Sequence, residues 1–284
     1  MHEIIRIQSP ELIAEIALGG AELKSLHANG KDNVIWQVDE TFWNRSAPIL
    51  FPIVGRLKNN QYEWKSENYQ MLQHGFARNQ RFEIIEKEDS FAIFQLKSNI
   101  QTLSQYPFDF ILNIKYELIG NQLLVAYTVV NQSNELLPFS IGGHPGFQLN
   151  GKLEEYQLRF PEKFITHNHL IDNGLYTGEK ELLSVDKDFN LKTDYFESDA
   201  IVFKSPIFNK VTLCRLSNPI LTLRCQDWTA VGFWTKKNAP FFCIEPWWGW
   251  ADDTDASGKL KDKKGLIWLE AGKKKEFQFE IEVY

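Results

Sequence analysis

Two histidines in glycine-flanked turns and one glutamate in a tryptophan-rich segment are the residues of this chain best suited to chemistry. His74 lies in Gln73-His74-Gly75-Phe76-Ala77-Arg78 and His144 in Gly142-Gly143-His144-Pro145-Gly146-Phe147. Glu245 lies in Ile244-Glu245-Pro246-Trp247-Trp248-Gly249-Trp250. An imidazole titrates near neutral pH and can give or take a proton. A carboxylate leaving the apolar run Phe241-Phe242-Cys243-Ile244 into aromatic surroundings is partly desolvated, which raises its pKa toward that of a working base. Trp247 and its neighbours offer flat faces of the kind that stack on sugar rings. Together the segments supply a proton donor, a proton acceptor and an aromatic wall. Each also has a plainer reading: a histidine bonded to backbone in a tight turn, a glutamate held by arginine or amide, tryptophans filling a core.

Arg56, in Phe51-Pro52-Ile53-Val54-Gly55-Arg56-Leu57, and Arg78 follow small residues at the ends of apolar segments. Their guanidinium forks suit hydroxyls, carboxylates or a phosphate, and suit structural ion pairs equally well. His167-Asn168-His169 has metal-ligand spacing, but its polar neighbours read as a loop, so no metal site is expected. Glu245 with Asp252 or Asp253 could form the carboxylate pair of a glycoside hydrolase, although neither aspartate is a strong companion. P-loop, G-x-S-x-G, G-x-G-x-x-G and Cys-x-x-Cys patterns are absent, which removes the usual sequence arguments for nucleotide binding, serine hydrolysis and thiol redox work.

The elements that must position these residues are strands. Apolar residues recur with period two at Leu12, Ala14, Ile16 and Leu18, and at Phe277, Phe279, Ile281 and Val283 with Glu or Gln between them. Further β-rich runs span Phe82 to Ile85, Phe91 to Leu96, Phe110 to Leu118, Leu123 to Asn131 and Leu221 to Cys225, and Ile119-Gly120-Asn121-Gln122 is placed to turn a hairpin. The one weak helical signal is at Asn99 to Tyr106, and Asp252 to Lys264 reads as an exposed loop. Many short strands without alternating helices predict an all-β antiparallel sandwich, and the absence of a linker or repeat predicts one domain over residues 1–284.

Composition narrows the setting. Hydrophobic residues make up 43% and charged residues 24%, ordinary globular values, while aromatics reach 14% with 9 Trp and 21 Phe. A net charge of -6 without a long basic run argues against nucleic acid. The absence of a leader or a long apolar stretch predicts a cytoplasmic protein without membrane contact. Cys214, Cys225 and Cys243 sit in apolar alternating segments and read as buried free thiols.

Four segments in this order resemble the aldose 1-epimerase (galactose mutarotase-like) family, in particular its branch of bacterial epimerase-like proteins and hexose-6-phosphate mutarotases. They are Ala47-Pro48-Ile49-Leu50-Phe51-Pro52-Ile53-Val54-Gly55-Arg56, the His74 segment, the His144 segment and Glu245-Pro246-Trp247, and the likeness covers nearly the whole chain. The resemblance implies a large antiparallel β-sandwich of the galactose mutarotase type with an open cleft. His144 then matches the family's general acid, Glu245 its general base and His74 its substrate-orienting histidine. Asp199 takes about the place of an aspartate that touches sugar hydroxyls, and Arg56, Arg78 and Trp247 are expected at the substrate. The implied reaction interconverts the α and β anomers of an aldohexose or its 6-phosphate, with no metal and no cofactor. A non-catalytic carbohydrate-binding or sensing protein on the same fold is the competing reading.

Overall fold

In the computed structural model, residues 3–284 are described, and strands account for most of the regular structure. The backbone of the molecule is a nine-stranded sheet in the order Asp188–Asn190, Tyr156–Arg159, Lys210–Arg215, Asn218–Arg224, Lys274–Val283, Gln122–Asn131, Phe110–Ile119, Phe91–Lys97 and Glu83–Lys87. Every neighbouring pair in it is antiparallel. Its central strands show why the sequence pattern was readable. Phe110–Ile119 and Gln122–Asn131 alternate buried with half-buried residues along nearly their full length, which is what a strand does when one face meets a core. The two pair from Ile119↔Gln122 onward, leaving Gly120-Asn121 as a two-residue turn with Gly120 at φ +58°, a conformation costly for any residue with a Cβ.

A second, six-stranded sheet runs Ile201–Lys204, Ala230–Trp234, Phe241–Trp248, Ile141–Gly143 and Ile49–Leu50, with Gly146–Gln148 also paired to Phe241–Trp248. It packs face to face on the first. The Trp248 ring lies 5.1 Å from that of Phe277 and 6.2 Å from that of Tyr127. The approach is close enough that a Cβ on Gly143 would sit 3.0 Å from the Tyr127 hydroxyl and 3.1 Å from the Phe279 ring. The main apolar cluster threads both sheets and includes residues from Ile7 to Val283. A three-stranded sheet, Ile4–Gln8, Leu12–Ala17 and Glu22–Ala28, contributes its buried residues to the same cluster.

Strand Phe241–Trp248 is buried on both faces. Phe242, Ile244 and Trp248 belong to the core between the sheets, whereas Phe241 and Cys243 pack with Trp36, and Trp247 packs with Leu50, Val54 and Tyr176 on the other side. Period-two geometry therefore sends Glu245 to the outer face with Cys243 and Trp247, away from the inter-sheet core.

Three segments depart from the sequence reading. His167-Asn168-His169 is strand, not loop: it lies in Phe164–Asp172, which forms a separate hairpin with Leu175–Val185. Both strands of that hairpin are largely solvated, so neither shows the alternation that would reveal it. The segment Asp252 to Lys264 is only partly exposed. Asp252 and Leu260 are buried, and the Lys263 ammonium reaches inward to Asp252 Oδ1 (3.1 Å) and the Trp250 carbonyl (2.8 Å), which compensates its desolvation. Glu245 does not leave the strand before Pro246, because pairing continues through Pro246↔Val231 and Trp247↔Ala230. The weak helical signal corresponds to one turn, Ile100–Leu103, capped by Asn99. All three cysteines are free and buried. Among the described residues, no helix is long and apolar enough to cross a membrane.

Candidate active site

On the outer face of the six-stranded sheet lies a cavity of about 720 Å³ whose lining includes His74, Arg78, His144, Asp199, Glu245 and Trp247. Residues separated by as many as 173 positions are thus brought to one place, each by a different local device.

Glu245 is presented by the alternation of its strand, as described above. Trp247, two residues on, lies flat across that face because both neighbouring strands carry glycine there: a Cβ on Gly142 would come within 2.8 Å of the indole, and one on Gly232 within 2.7 Å. His144 sits in the two-residue gap between strands Ile141–Gly143 and Gly146–Gln148, with its amide donating to Pro48 O (3.1 Å). His74 and Gly75 both have positive φ, at 67° and 70°. A Cβ on Gly75 would be 2.2 Å from Phe51 O, which explains the glycine after this histidine. The turn is anchored by His74 N–H donating to Gly55 O (2.7 Å).

The His144 imidazole and the Glu245 carboxyl face each other, Nε2 to Oε2, at 3.2 Å, although the angles fall short of a formed hydrogen bond. The His144 ring is held by Trp43 at 4.8 Å and by Trp234 and His74, both edge-on at 5.6 Å. Burial pushes the His144 pKa down to about 3, with a smaller contribution from the Arg78 charge. Burial also lifts the Glu245 carboxyl well above its ordinary value, the Asp199 charge adding to the rise and Trp247 opposing it. Both shifts favour neutral forms. When the pair shares one proton, its two forms are carboxylic acid with neutral imidazole and carboxylate with imidazolium, and burial favours the first.

The His74 tautomer is determined by its surroundings. Nδ1 accepts the Gly55 N–H at 3.1 Å, so a neutral ring carries its proton on Nε2. Burial, followed by the nearby His144, Arg78 and Arg56, holds its pKa well below the ordinary value. Arg78 donates from Nη2 to Gln73 O (2.6 Å), and burial lowers its pKa to about 10. Asp199 accepts Ala200 N–H (2.7 Å), and burial raises its carboxyl. Arg56 stands beside the cavity, not among its lining residues. Its Nη1 donates to Asn173 O (2.8 Å) at the tip of the hairpin, while its charge still acts on Asp199 and His74.

Several lining residues had no usable sequence signal. Trp43 and Trp234 cage His144 from separate parts of the chain, and Tyr176 comes from the solvated hairpin. Cys243 lies behind the pair, outside the cavity lining: its sulfur and the ligand atoms of His144 and Glu245 lie within 4.8 Å of one another, a grouping from which a metal could be held. Its thiol is pushed well up by burial, however, and a protonated thiol is a poor ligand. His167 and His169 are in no such grouping among the described residues.

Eight buried side-chain polar atoms have no hydrogen-bond partner among the described residues, and five of them, Arg78 Nε, His144 Nδ1, Tyr176 Oη, Glu245 Oε2 and Trp247 Nε1, belong to residues lining this cavity. Each such atom costs about 1–3 kcal/mol when left unpaired. Their concentration around one cavity marks it as the place where a polar ligand would supply partners that the protein lacks.

Comparison with known proteins shows the family. Residues 3–282 match the family model described as aldose 1-epimerase. The solved structure of a galactose mutarotase related enzyme from Lactobacillus acidophilus superposes with a TM-score of 0.96 at 33% identity, covering 99% of this chain and 97% of that one. A galactose mutarotase-like protein from Lactobacillus casei gives 0.92 at 30% identity, covering 99% and 100%. Protein LacX of Lactococcus lactis subsp. lactis is 28% identical over 278 residues, 91% of this chain and 92% of that protein.

Proposed function

The chain belongs to the aldose 1-epimerase family, and from that premise we propose that it is a mutarotase, an isomerase interconverting the α and β anomers of an aldohexose or its 6-phosphate. The observation that carries this reading is the buried His144–Glu245 pair, 3.2 Å apart, in a cavity whose lining residues carry five unpaired buried polar atoms.

Ring opening requires that the C1 hydroxyl lose its proton while the C1–O5 bond breaks and O5 gains one. Glu245 as carboxylate takes the first proton and His144 as imidazolium gives the second; rotation about C1–C2 and the reverse transfers produce the other anomer. The pair returns to its starting protonation, so no external acid, base or oxidant is consumed. General acid and base contributions of about 10²–10⁴-fold each are enough for a reaction that already proceeds in water. The His74 Nε2–H and the Arg78 fork serve as donors to sugar oxygens, Asp199 as an acceptor and Trp247 as the stacking face. Arg56, bound to Asn173 O, supplies positive charge from the side and shapes the hairpin tip above the sugar.

Freshly dissolved pure anomers, free and 6-phosphorylated, followed by polarimetry or NMR, test the reading. Faster equilibration of at least one sugar with protein than with buffer is expected. Binding of sugars without any acceleration would replace it with a non-catalytic carbohydrate-binding protein.

A further inference from the structure

Tyr176 is a cavity residue that neither the acid–base pair nor the four sequence segments account for. It enters from strand Leu175–Val185, is buried to 2% exposure and is among the residues lining the cavity, and its hydroxyl, itself shielded from solvent, has no hydrogen-bond partner among the described residues. Tyrosine hydroxyls this deeply buried are normally paired. Here the exception coincides with a ligand cavity, and the carboxyls of Asp199 and Glu245 are near enough to act on the phenol. Burial, with those carboxyls, keeps the phenol protonated and hence a donor.

The ring is fixed from two directions. Its backbone is clamped to the segment after Trp250, with Tyr176 N–H donating to Asp252 O (2.9 Å) and Thr254 N–H donating to Tyr176 O (2.8 Å). Its face is covered by the Lys204 ammonium, 3.7 Å from the ring centroid, which also lies 4.8 Å over the ring of Trp250. Lys204 ends strand Ile201–Lys204 and shares its outer face with Val202, which packs in the same small cluster as Tyr176. It makes no ion pair among the described residues, since nearby Asp253 is paired to Lys264 at 2.7 Å, and its pKa is lowered by burial to about 8. A half-buried ammonium whose close contacts are two aromatic faces is held there by cation–π attraction. The same attraction restrains the phenol.

We propose that Tyr176 binds substrate, its hydroxyl donating a hydrogen bond to one hydroxyl of the sugar ring, and that Lys204 is the positioning residue that holds the phenol in register. This rests on the mutarotase reading, because the ligand it requires is a polyhydroxylated ring in the same cavity. A rigid donor from the hairpin, packed beside Trp247 of the sheet, makes Tyr176 a specificity element: it rewards a hydroxyl at one ring position and leaves the buried phenol unpaired when that hydroxyl is missing.

Calorimetric titration of the full chain with D-galactose, D-glucose, their 6-phosphates and the monodeoxy analogues of each tests it. Tyr176→Phe should weaken the better parent sugar roughly tenfold, the loss of one neutral hydrogen bond to a buried donor. For the single analogue lacking the contacted hydroxyl, the variant and the wild type should bind equally. Lys204→Met should weaken the parent sugar several-fold but add nothing in a Tyr176→Phe background, and Lys204→Arg should restore it. Circular dichroism confirms that each variant is folded. Wild-type binding of parent sugars with unchanged binding by Tyr176→Phe, or equal weakening toward every analogue, overturns the proposal while leaving the mutarotase reading intact. Failure of the wild type to bind any of these sugars removes both.

Discussion

Replacing Glu245 by glutamine isolates proton transfer from shape. The side chain is 2% exposed and stands 3.2 Å from the His144 ring, so an amide of the same size fills the same space. Because burial favours the neutral form of the carboxyl, the amide matches the form that the site stabilises. The fold should therefore survive within about 1 kcal/mol, the scale of a single altered hydrogen bond. Catalysis should not survive. The amide cannot accept the C1 proton, and loss of a general base worth about 10²–10⁴-fold raises the barrier by roughly 2.7–5.5 kcal/mol. The assay is the decay of optical rotation of freshly dissolved α-D-galactose, or of whichever anomer proves the best substrate, corrected for the rate in buffer. Thermal unfolding of the same preparation provides the stability. A folded Glu245→Gln variant that keeps more than about a third of the wild-type excess rate would refute the assignment of Glu245 as base. A large gain in stability would refute the neutral-carboxyl argument instead, because it would mean that an ionised, unpaired carboxylate had been removed.

His144→Asn should lower turnover by about 10²-fold or more while sugar binding, measured by calorimetry, is largely kept; lost binding with normal conversion of bound sugar would make His144 a ligand contact only. The acid limb of the activity profile should lie near pH 3, where the second proton enters the pair, and a limb at the free imidazole value of 6.5 would contradict the burial argument. Stability should follow the same groups. The depressed His144 pKa removes stability as pH falls from 6.5 toward 3, and the raised Glu245 pKa removes it as pH rises above 4.5 toward its folded value. Gly232→Ala places a Cβ 2.7 Å from the Trp247 indole, so thermal unfolding should show a loss of about 1–3 kcal/mol and calorimetry a weaker sugar complex. Chelators should leave the rate unchanged, because the Cys243 thiol is held protonated and the proton transfers need no Lewis acid; loss of activity restored by one divalent ion would reverse this.

The parts of this molecule that sequence made legible are those in which one physical rule acts alone. Phe110–Ile119, Gln122–Asn131 and Lys274–Val283 bury one face each, and the period of two survives intact. The glycines beside His74 and His144 mark real steric demands, a positive φ and a close approach of Phe51 O in one case and sheet-to-sheet contact in the other. Illegibility has physical causes too. Ile49–Leu50, Ile141–Gly143 and Gly146–Gln148 are two or three residues long and covered on both faces, so no periodicity can develop. The hairpin Phe164–Asp172/Leu175–Val185 is half-buried or exposed along most of its length, and its polar residues imitate a loop. Pro246 suggested a strand end, yet pairing with Val231 carries the strand through it. Lys263 looked like one of many surface lysines, because nothing in a charged run identifies the one ammonium that finds a buried carboxylate.

The same distinction explains why sequence singled out His144 and Glu245, with His74, Arg78, Asp199 and Trp247, but not the other residues of the cavity. His144 and Glu245 belong to segments with local constraints, whereas Trp43, Tyr176 and Trp234 acquire their roles only when distant elements fold over one sheet face. That face has to meet two opposed demands. It must be dry enough to shift both members of the pair toward neutrality, which the surrounding aromatic rings accomplish, and yet keep donors and acceptors unpaired for an incoming hydroxylated ring. A sheet buried by a second sheet alone would meet only the first. The outer hairpin meets the second by standing over the face without filling it, its tip held by Arg56 at Asn173 and by Asp252 at Tyr176. The segment that sequence read least well is therefore the one that turns a covered sheet face into a cleft.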